Sequence, residues 1–188
     1  MFIHIRRSLV VTAVALAALA GTTPSAAAAQ SRQCIAQPQP DGQAPTMDCF
    51  ATFAQAIAAA TGGRIQLPSG AAPSLLPAAD VAAAGDVDDS PLATVIIGID
   101  FTGTSFGGSS LTWYQSAGCG SYQASSMPTG WNDVIESVAN YSGCGTTLYE
   151  NINFGGTTFS VGVNGSASTL GSFNNEASSQ KWCAAASC

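Results

Sequence analysis

An internal repeat constrains this chain more than any other feature of its sequence. Each copy begins with an aromatic residue, followed five positions later by a second aromatic and seven positions later by glycine. These hairpin-like segments are residues 101–108 and 149–156. An oxygen-rich loop follows each of them, at residues 132–137 in the first copy and 174–179 in the second. The duplication predicts one domain that is built from two similar units.

The residues around the repeat have the two-residue alternation of short β-strands. Phe159, Val161 and Val163 alternate with small or polar residues, as in a half-buried strand. Residues 95–99 predict the first strand of the same β-structure. Because glycine and polar turns separate these strands, residues from about 93 to 183 predict an all-β, antiparallel sandwich.

The first residues of the chain predict export. Arg6 and Arg7 precede an apolar run that is shorter than a typical membrane-spanning helix. Small residues suited to cleavage by a signal peptidase follow this run. We therefore expect a secretory signal peptide at residues 1–28, with cleavage near Ala28. The mature protein would then be extracellular and free of the membrane. An uncleaved N-terminal anchor is the alternative interpretation.

Removal of this signal peptide would leave an acidic chain without histidine, because His4 is the only one. The mature chain keeps Arg32, Arg64 and Lys181 against eleven carboxylates, a net charge near −8. A chain this acidic offers no extended positively charged surface that would attract nucleic acid or anionic lipid. Without histidine, Ser-His-Asp and Cys-His catalysis and histidine zinc sites are excluded. Since no pair of carboxylates stands out either, we expect a non-enzymatic protein, and we expect it to be a monomer.

All six cysteines follow the predicted signal peptide. An even number in an exported chain favours three disulfides, and no Cys-x-x-Cys spacing supports a metal cluster. Many connectivities are open to six cysteines. We favour the pairing of sequence neighbours, which joins Cys34 to Cys49, Cys119 to Cys144 and Cys183 to Cys188. The last pairing has the weakest support because Cys188 is terminal and could remain free.

The region before the repeat predicts an extension with one short helix at residues 29–66. Asp48 is its expected N-terminal cap, and Gly62 and Gly63 are its expected stop. The apolar face of this helix would consist of Phe50, Phe53, Ala54 and Ile57. One short helix cannot bury a core alone, so it must dock on another element or stay loosely ordered. The extension could also be a pro-segment that is removed.

Proline, glycine, alanine and aspartate dominate residues 67–92, which predict a solvated linker. Its acidic cluster consists of Asp86, Asp88 and Asp89. These residues lack the spacing and the closing glutamate of an EF-hand loop. We therefore expect them to be solvated and not to bind a metal.

The hairpins and loops of the repeat together resemble the microbial βγ-crystallin family. Both loops approach the form Asn/Asp-Asn/Asp-x-x-Ser/Thr-Ser that is typical of that family. The resemblance covers residues 93–183 and implies a double Greek-key sandwich for a domain at residues 93–188. It also implies that the paired loops bind two Ca²⁺ ions, which prefer oxygen ligands. Trp131 and Trp182, which lie beside the loops, would pack beneath them.

The second loop matches the family pattern at each position. The resemblance implies that Asn175 and Ser178 supply side-chain oxygens and that Glu176 supplies its backbone carbonyl. Ligands from both units are implied for each ion, so carbonyls of the hairpins near Ser105 and Asn153 would complete the shell.

The first loop departs from the pattern at one position. Asp133 would provide a side-chain oxygen and Val134 a backbone carbonyl, but Glu136 stands where serine or threonine is expected. Glu136 could coordinate directly and strengthen the site. It could also be too long for a space suited to a hydroxyl, which is the interpretation we favour. As a further alternative, both loops could be hydrogen-bonded turns that bind nothing.

Two functional hypotheses follow. The first is a secreted Ca²⁺-binding βγ-crystallin-like protein in which Ca²⁺ stabilises a small disulfide-bonded sandwich. The second comes from a resemblance to secreted actinobacterial metallopeptidase inhibitors of this fold, and it implies an extracellular inhibitor of a secreted metallopeptidase. The long loop that carries Cys119, Tyr122 and Met127-Pro128 would then be the reactive surface, because a braced loop loses little entropy on binding.

Overall fold

Two packed β-sheets contain the repeat, as its two-residue alternation predicts. The computed structural model describes residues 31–39, 45–85, 94–185 and 188. The predicted signal peptide and the acidic cluster at residues 86–89 lie outside this described part of the chain. Its strands, in chain order, are β1 (Gln33–Ala36), β2 (Met47–Phe50), β3 (Val95–Phe101), β4 (Ser110–Gln115), β5 (Tyr122–Ala124), β6 (Ser137–Asn140), β7 (Gly145–Asn151), β8 (Gly155–Val161), β9 (Ser166–Ala167) and β10 (Ser179–Cys183).

Each copy of the repeat is a Greek key of four strands, β3 to β6 in the first unit and β7 to β10 in the second. The first sheet has the strand order β2-β1-β4-β3-β6-β9, and the second has the order β5-β10-β7-β8. The third strand of each unit, β5 or β9, therefore pairs within the sheet of the other unit. This exchange joins both units into one sandwich. The predicted all-β, βγ-crystallin-like fold with two Greek keys is confirmed.

The space between the two sheets is filled by the inward-facing residues of both units. Trp113, Trp131 and Trp182 are fully buried there with Leu111 and Leu148. Removing a large apolar side chain from water contributes roughly 1.5–3 kcal/mol, so this inner core is a main source of stability. The predicted packing of Trp131 and Trp182 beneath the loops is therefore part of a wider aromatic core.

The repeated glycines allow the two hairpins to fold back on themselves. Gly108 and Gly156 have φ angles of +80° and +78°, in the left-handed region that glycine tolerates best. A β-carbon on either would lie 2.6 Å from a neighbouring side chain, Thr102 or Asn151. Glycine seven positions after the first aromatic is thus a steric requirement of this turn.

The N-terminal region forms an additional pair of strands. β1 lies parallel to β4 at the edge of the first sheet, and β2 lies antiparallel to β1. The disulfide between Cys34 and Cys49 joins these two strands. The other two disulfides join Cys119 to Cys144 and Cys183 to Cys188, so the structure contains the pairing of neighbours that the sequence favours.

The expected helix begins later than the sequence predicts. Asp48 is not its cap, because residues 47–50 pair with β1 as a strand. The helix α1 is Phe53–Ala60, and Thr52 caps it through a reciprocal pair of hydrogen bonds with Gln55. Thr52 and Gln55 have the spacing of a capping box, which is a stronger start signal than an isolated aspartate.

The predicted linker contains a second helix, α2, at Ala78–Gly85. Its alanine-rich sequence has a high helix propensity, and Val81 and Ala84 lie on its buried side. Helices α1 and α2 pack on the outer face of the first sheet, α1 against β1 and β4 and α2 against β3. Phe53, Ile57 and Val81 belong there to one apolar cluster with Ile99 of β3. The region before the repeat is therefore an outer layer of the sandwich. Within the described residues, no helix has the length and apolarity to cross a membrane.

Candidate functional site

The two oxygen-rich loops lie side by side and are related by the repeat. Asp133 and Asn175, the second residue of each loop, both have left-handed backbones with φ angles of 54° and 62°. Asp133 donates its backbone N–H to Ala177 O at 3.0 Å, and Asn175 donates its own to Ile135 O at 2.9 Å. Each loop is thus held in place by the other.

Side chains pair across the loops as well as within the first one, where Asn132 Nδ2 donates to Asp133 Oδ2 at 2.5 Å. The Ser178 hydroxyl donates to Asp133 Oδ1 at 3.2 Å, and the Asn175 amide donates to Glu136 Oε1 at 3.1 Å. Each candidate Ca²⁺ site therefore combines one residue from each loop. Glu136, the departure from the family pattern, lies beside Asn175 and leaves the pair of Asp133 and Ser178 unaltered.

The last serine of each loop fastens the loop to the hairpin of its own unit. The Ser137 hydroxyl accepts from Phe106 N at 3.0 Å and donates to Gly103 O at 2.6 Å. The Ser179 hydroxyl makes the same two bonds, to Phe154 N at 3.0 Å and to Asn151 O at 2.6 Å. This repeated contact explains why both loops end in serine, and it is a structural role that needs no metal.

The hairpins near the predicted carbonyl ligands also cross between units. Ser105 and Asn153 have left-handed φ angles of 55° and 57°, and their N–H groups donate to Ser168 O and Ser125 O at 2.7 Å. Serine and asparagine at these positions place each hairpin tip against the opposite unit. Coordination of Ca²⁺ by the hairpin carbonyls, and by the carbonyls of Val134 and Glu176, stays a prediction.

The donor chemistry of the loops can be compared with what a metal requires. In the described part of the chain, no three side chains of His, Cys, Asp or Glu form a cluster that could hold a metal. The oxygens of Asp133 and Ser178 already converge, and hard oxygen donors of this kind fit Ca²⁺ rather than a transition metal. Both carboxylates also accept an amide N–H, Asp133 Oδ2 from Asn132 Nδ2 and Glu136 Oε1 from Asn175 Nδ2. The pair of Glu136 and Asn175 fits less well because it has an amide where the other pair has the Ser178 hydroxyl oxygen.

A buried carboxylate in the inner core is a residue that sequence reasoning missed. Asp100 Oδ2 accepts from Trp113 Nε1 at 2.6 Å, and Asp100 Oδ1 accepts from Gln180 Nε2 at 3.3 Å. Complete burial raises the pKa of Asp100 from 3.8 to about 7, although both hydrogen bonds act in the opposite direction. The available signal was the repeat itself, which aligns Asp100 with Leu148.

The loop predicted as a reactive surface is only partly exposed. Met127 and Pro128 are buried, and Met127 N donates to Ser178 O at 2.8 Å. Packing against the second oxygen-rich loop thus removes this dipeptide from the surface. The exposed residues of the region are 116–118, which precede the disulfide of Cys119 with Cys144, together with Ser121 and residues 129–130.

Comparisons with known proteins give one family match. Residues 101–161 match peptidase inhibitor family I36. No curated protein matches the chain significantly. Because the matched residues run from the last residue of β3 to the last residue of β8, they include most of the first Greek key and the first hairpin of the second.

The chain is also similar to several solved βγ-crystallin structures. A βγ-crystallin domain from Clostridium beijerinckii is 24% identical, covers 47% of this chain and 98% of its own, and has a TM-score of 0.37. A βγ-crystallin from an archaeon is 28% identical, with coverages of 46% and 95% and a TM-score of 0.36. The N-terminal domain of protein S is 25% identical, with coverages of 46% and 93% and a TM-score of 0.36.

Proposed function

We propose that this protein is an extracellular peptidase inhibitor built on a βγ-crystallin-like sandwich. The observation that carries the proposal is the match of residues 101–161 to peptidase inhibitor family I36. That match points to a non-enzymatic protein with a peptidase as its partner. The matched residues belong to the sandwich and exclude the outer layer that α1 and α2 form.

The construction of the molecule supports this role. An inhibitor must keep its shape at a peptidase surface, since a flexible segment is readily cleaved and loses more entropy on binding. Three disulfides brace the described part of the chain, and each exchanged strand ties one unit to the other. Disulfides persist in oxidising compartments, which supports export of the protein.

Inhibition can be measured directly with the oxidised protein from residue 29 onward. Thermolysin represents the metallopeptidases and subtilisin the serine peptidases. We expect one of them to be inhibited at micromolar concentration or below, with the inhibitor recovered intact. Reduced and alkylated protein is the control, because it offers the same peptide bonds without the fold. Unaffected activity of both enzymes at micromolar concentration would contradict the proposal.

A second candidate function is Ca²⁺ binding, which the convergence of Asp133 and Ser178 favours. We propose a stronger site at this pair and a weaker one at Glu136 and Asn175, where an amide stands in the place of the Ser178 hydroxyl. Extracellular Ca²⁺ modules bind with a Kd of roughly 10⁻⁵ to 10⁻³ M. At a concentration of about 100 times the Kd, a ligand stabilises the folded state by ~2.7 kcal/mol.

Calorimetric titration and thermal melts test this second function without a peptidase. We expect heat of binding and a Tm that rises with millimolar Ca²⁺, and a smaller response to Mg²⁺, which demands stricter geometry. A protein that gives neither heat nor a Tm shift with millimolar Ca²⁺ does not use these loops as a metal site.

A further inference from the structure

Strand β8 is the longest open sheet edge in the described part of the chain. It pairs with β7 on one side and has no strand neighbour on the other among the described residues. β8 has seven residues, whereas the other terminal strands, β2, β5 and β9, have four, three and two. A long open edge presents main-chain donors and acceptors with which another chain can pair.

The corresponding strand of the first unit already has such a partner. The repeat aligns β8 with β4, and β1 lies parallel to β4 from Gln33 opposite Ser110 to Ala36 opposite Trp113. Ser110 N donates to Arg32 O at 3.0 Å. The same strand position therefore accepts an extended parallel segment in one half of the molecule and, among the described residues, is open in the other.

The composition and anchoring of β8 leave its edge accessible. β8 contains no charged residue and no proline, the features by which natural edge strands avoid pairing. Its beginning is fixed by Glu150, whose Oε2 accepts from Thr157 N at 2.9 Å and from the Thr157 hydroxyl at 2.7 Å. β8 is thus held extended before any partner arrives, which reduces the entropy lost on binding.

Exposed apolar side chains lie shortly before and shortly after β8 in the chain. Ile152 precedes β8 and is 57% exposed, and Val163 follows it and is 42% exposed. Leu75, in the outer layer, is the one other exposed large hydrophobic side chain among the described residues. Exposed apolar groups near the ends of an open strand suit a protein-binding surface.

We propose that β8 is the surface through which the protein binds its peptidase. An extended segment of the peptidase, at the cleft that holds substrate polypeptides, adds to β8 as a strand, and Ile152 and Val163 pack against it. This inference rests on the proposed inhibitor function and assigns its contact surface. The peptidase is the occupant because β8 lies within residues 101–161, which match the inhibitor family.

The main-chain donors of this edge can be identified from the repeat. Ser110 N faces β1, and N–H groups alternate in direction along a strand, so Ser110 and Thr112 both face the partner of β4. Their counterparts in β8 are Thr158 and Ser160. Both side chains are exposed, so a substitution can remove the donor with little loss of packing.

A pair of variants at Thr158 separates the backbone from the side chain. Thr158→Pro removes the outward N–H, whereas Thr158→Ala keeps it. We expect Thr158→Pro to raise the inhibition constant about tenfold or more, with Thr158→Ala within about twofold of the unaltered protein. The assay uses whichever of thermolysin and subtilisin the unaltered protein inhibits, and thermal melts establish that both variants are folded.

A second pair tests the flanking apolar contacts and does not depend on how β8 tolerates proline. Ile152→Ser should weaken inhibition about fivefold to tenfold, while Leu75→Ser, at the other exposed hydrophobic residue, should leave it unchanged.

The possible outcomes separate the binding surface from the inhibitor function. If folded Thr158→Pro or Ile152→Ser inhibits as strongly as the unaltered protein, the inference is overturned and the inhibitor function still stands. Inhibition of neither enzyme by the unaltered protein contradicts the inhibitor function itself and removes the premise. A dimer that Thr158→Pro converts to a monomer with unchanged inhibition would assign β8 to self-association, against the proposal.

Discussion

Asp100 shows how much one residue can alter an otherwise apolar core. Its carboxyl lies between the sheets, where the second unit has Leu148, and its hydrogen bonds come from Trp113 and Gln180. Burial raises its pKa from 3.8 to about 7. The folded state therefore favours the protonated form, and deprotonation must place an unpaired charge among apolar side chains.

This pKa makes a prediction about stability and pH. Between pH 4 and pH 7 the folded state holds a proton at Asp100 that the unfolded state has released, so stability falls as the pH rises through this window. The loss is complete above the folded pKa and amounts to a few kcal/mol at about 1.4 kcal/mol per pH unit. Urea unfolding at several pH values measures this loss of stability. Asp100→Asn is the comparison, because the other carboxyls contribute equally to the pH dependence of both proteins. Parallel pH profiles would show that Asp100 does not titrate in this way.

The contribution of a single residue to Ca²⁺ binding can be tested by substituting it. Asp133→Ala removes the carboxylate of the stronger candidate site, and we expect the Ca²⁺-dependent rise in Tm to shrink and the affinity to fall about tenfold or more. Glu176→Gln is the matched control, because it removes a nearby negative charge and keeps the predicted carbonyl ligand. Equal effects of both variants in calorimetric titration would indicate non-specific charge attraction.

At the scale of the elements, each loop depends on its hairpin. The two serine hydroxyls, Ser137 and Ser179, each satisfy one N–H and one carbonyl of a tight turn. The hairpins follow from local sequence, since the aromatic pair and the glycine are close neighbours along the chain. The start of α1 also has a local signal, the capping box of Thr52 and Gln55. The strand at residues 47–50 does not, because it forms through pairing with β1.

This arrangement predicts equal costs for the two matched serine substitutions. Ser137→Ala and Ser179→Ala each leave a turn N–H and a carbonyl without their partner, which should lower the free energy of unfolding by about 1–3 kcal/mol. Ser172→Ala, at an exposed position, is the control and should be nearly neutral. Denaturant unfolding of the three variants is the measurement. A neutral Ser179→Ala would mean that water replaces the hydroxyl at no cost.

At the scale of the whole molecule, the N-terminal region completes the first sheet. β1 covers the edge of β4, and the outer layer buries the outward face of β3, including Ile96, Ile99 and Phe101. No local pattern in residues 29–66 indicates this role. The pairing of β1 with β4 and the apolar contacts of the outer layer are made with residues that lie far along the chain.

We therefore expect deletion of residues 31–93 to damage the domain. The deletion exposes an apolar sheet face and a second open edge, so the remaining domain should aggregate or melt roughly 10 °C or more below the longer chain. Size-exclusion chromatography and thermal melts measure this outcome. A monomeric and equally stable residue 94–188 domain would instead indicate a removable pro-segment.

The sequence by itself determined the duplicated unit, and with it the Greek-key sandwich and the hairpin turns. These features depend on spacings of a few residues, where glycine, aromatic and alternating apolar positions act locally. The tertiary structure decided that Asp133 meets Ser178 and that Glu136 meets Asn175. It also decided that β1 covers β4, while β8 has no such neighbour in the part of the chain that the structure describes. Such contacts join residues from different units and from the N-terminal region, and only the folding of the whole chain brings them together.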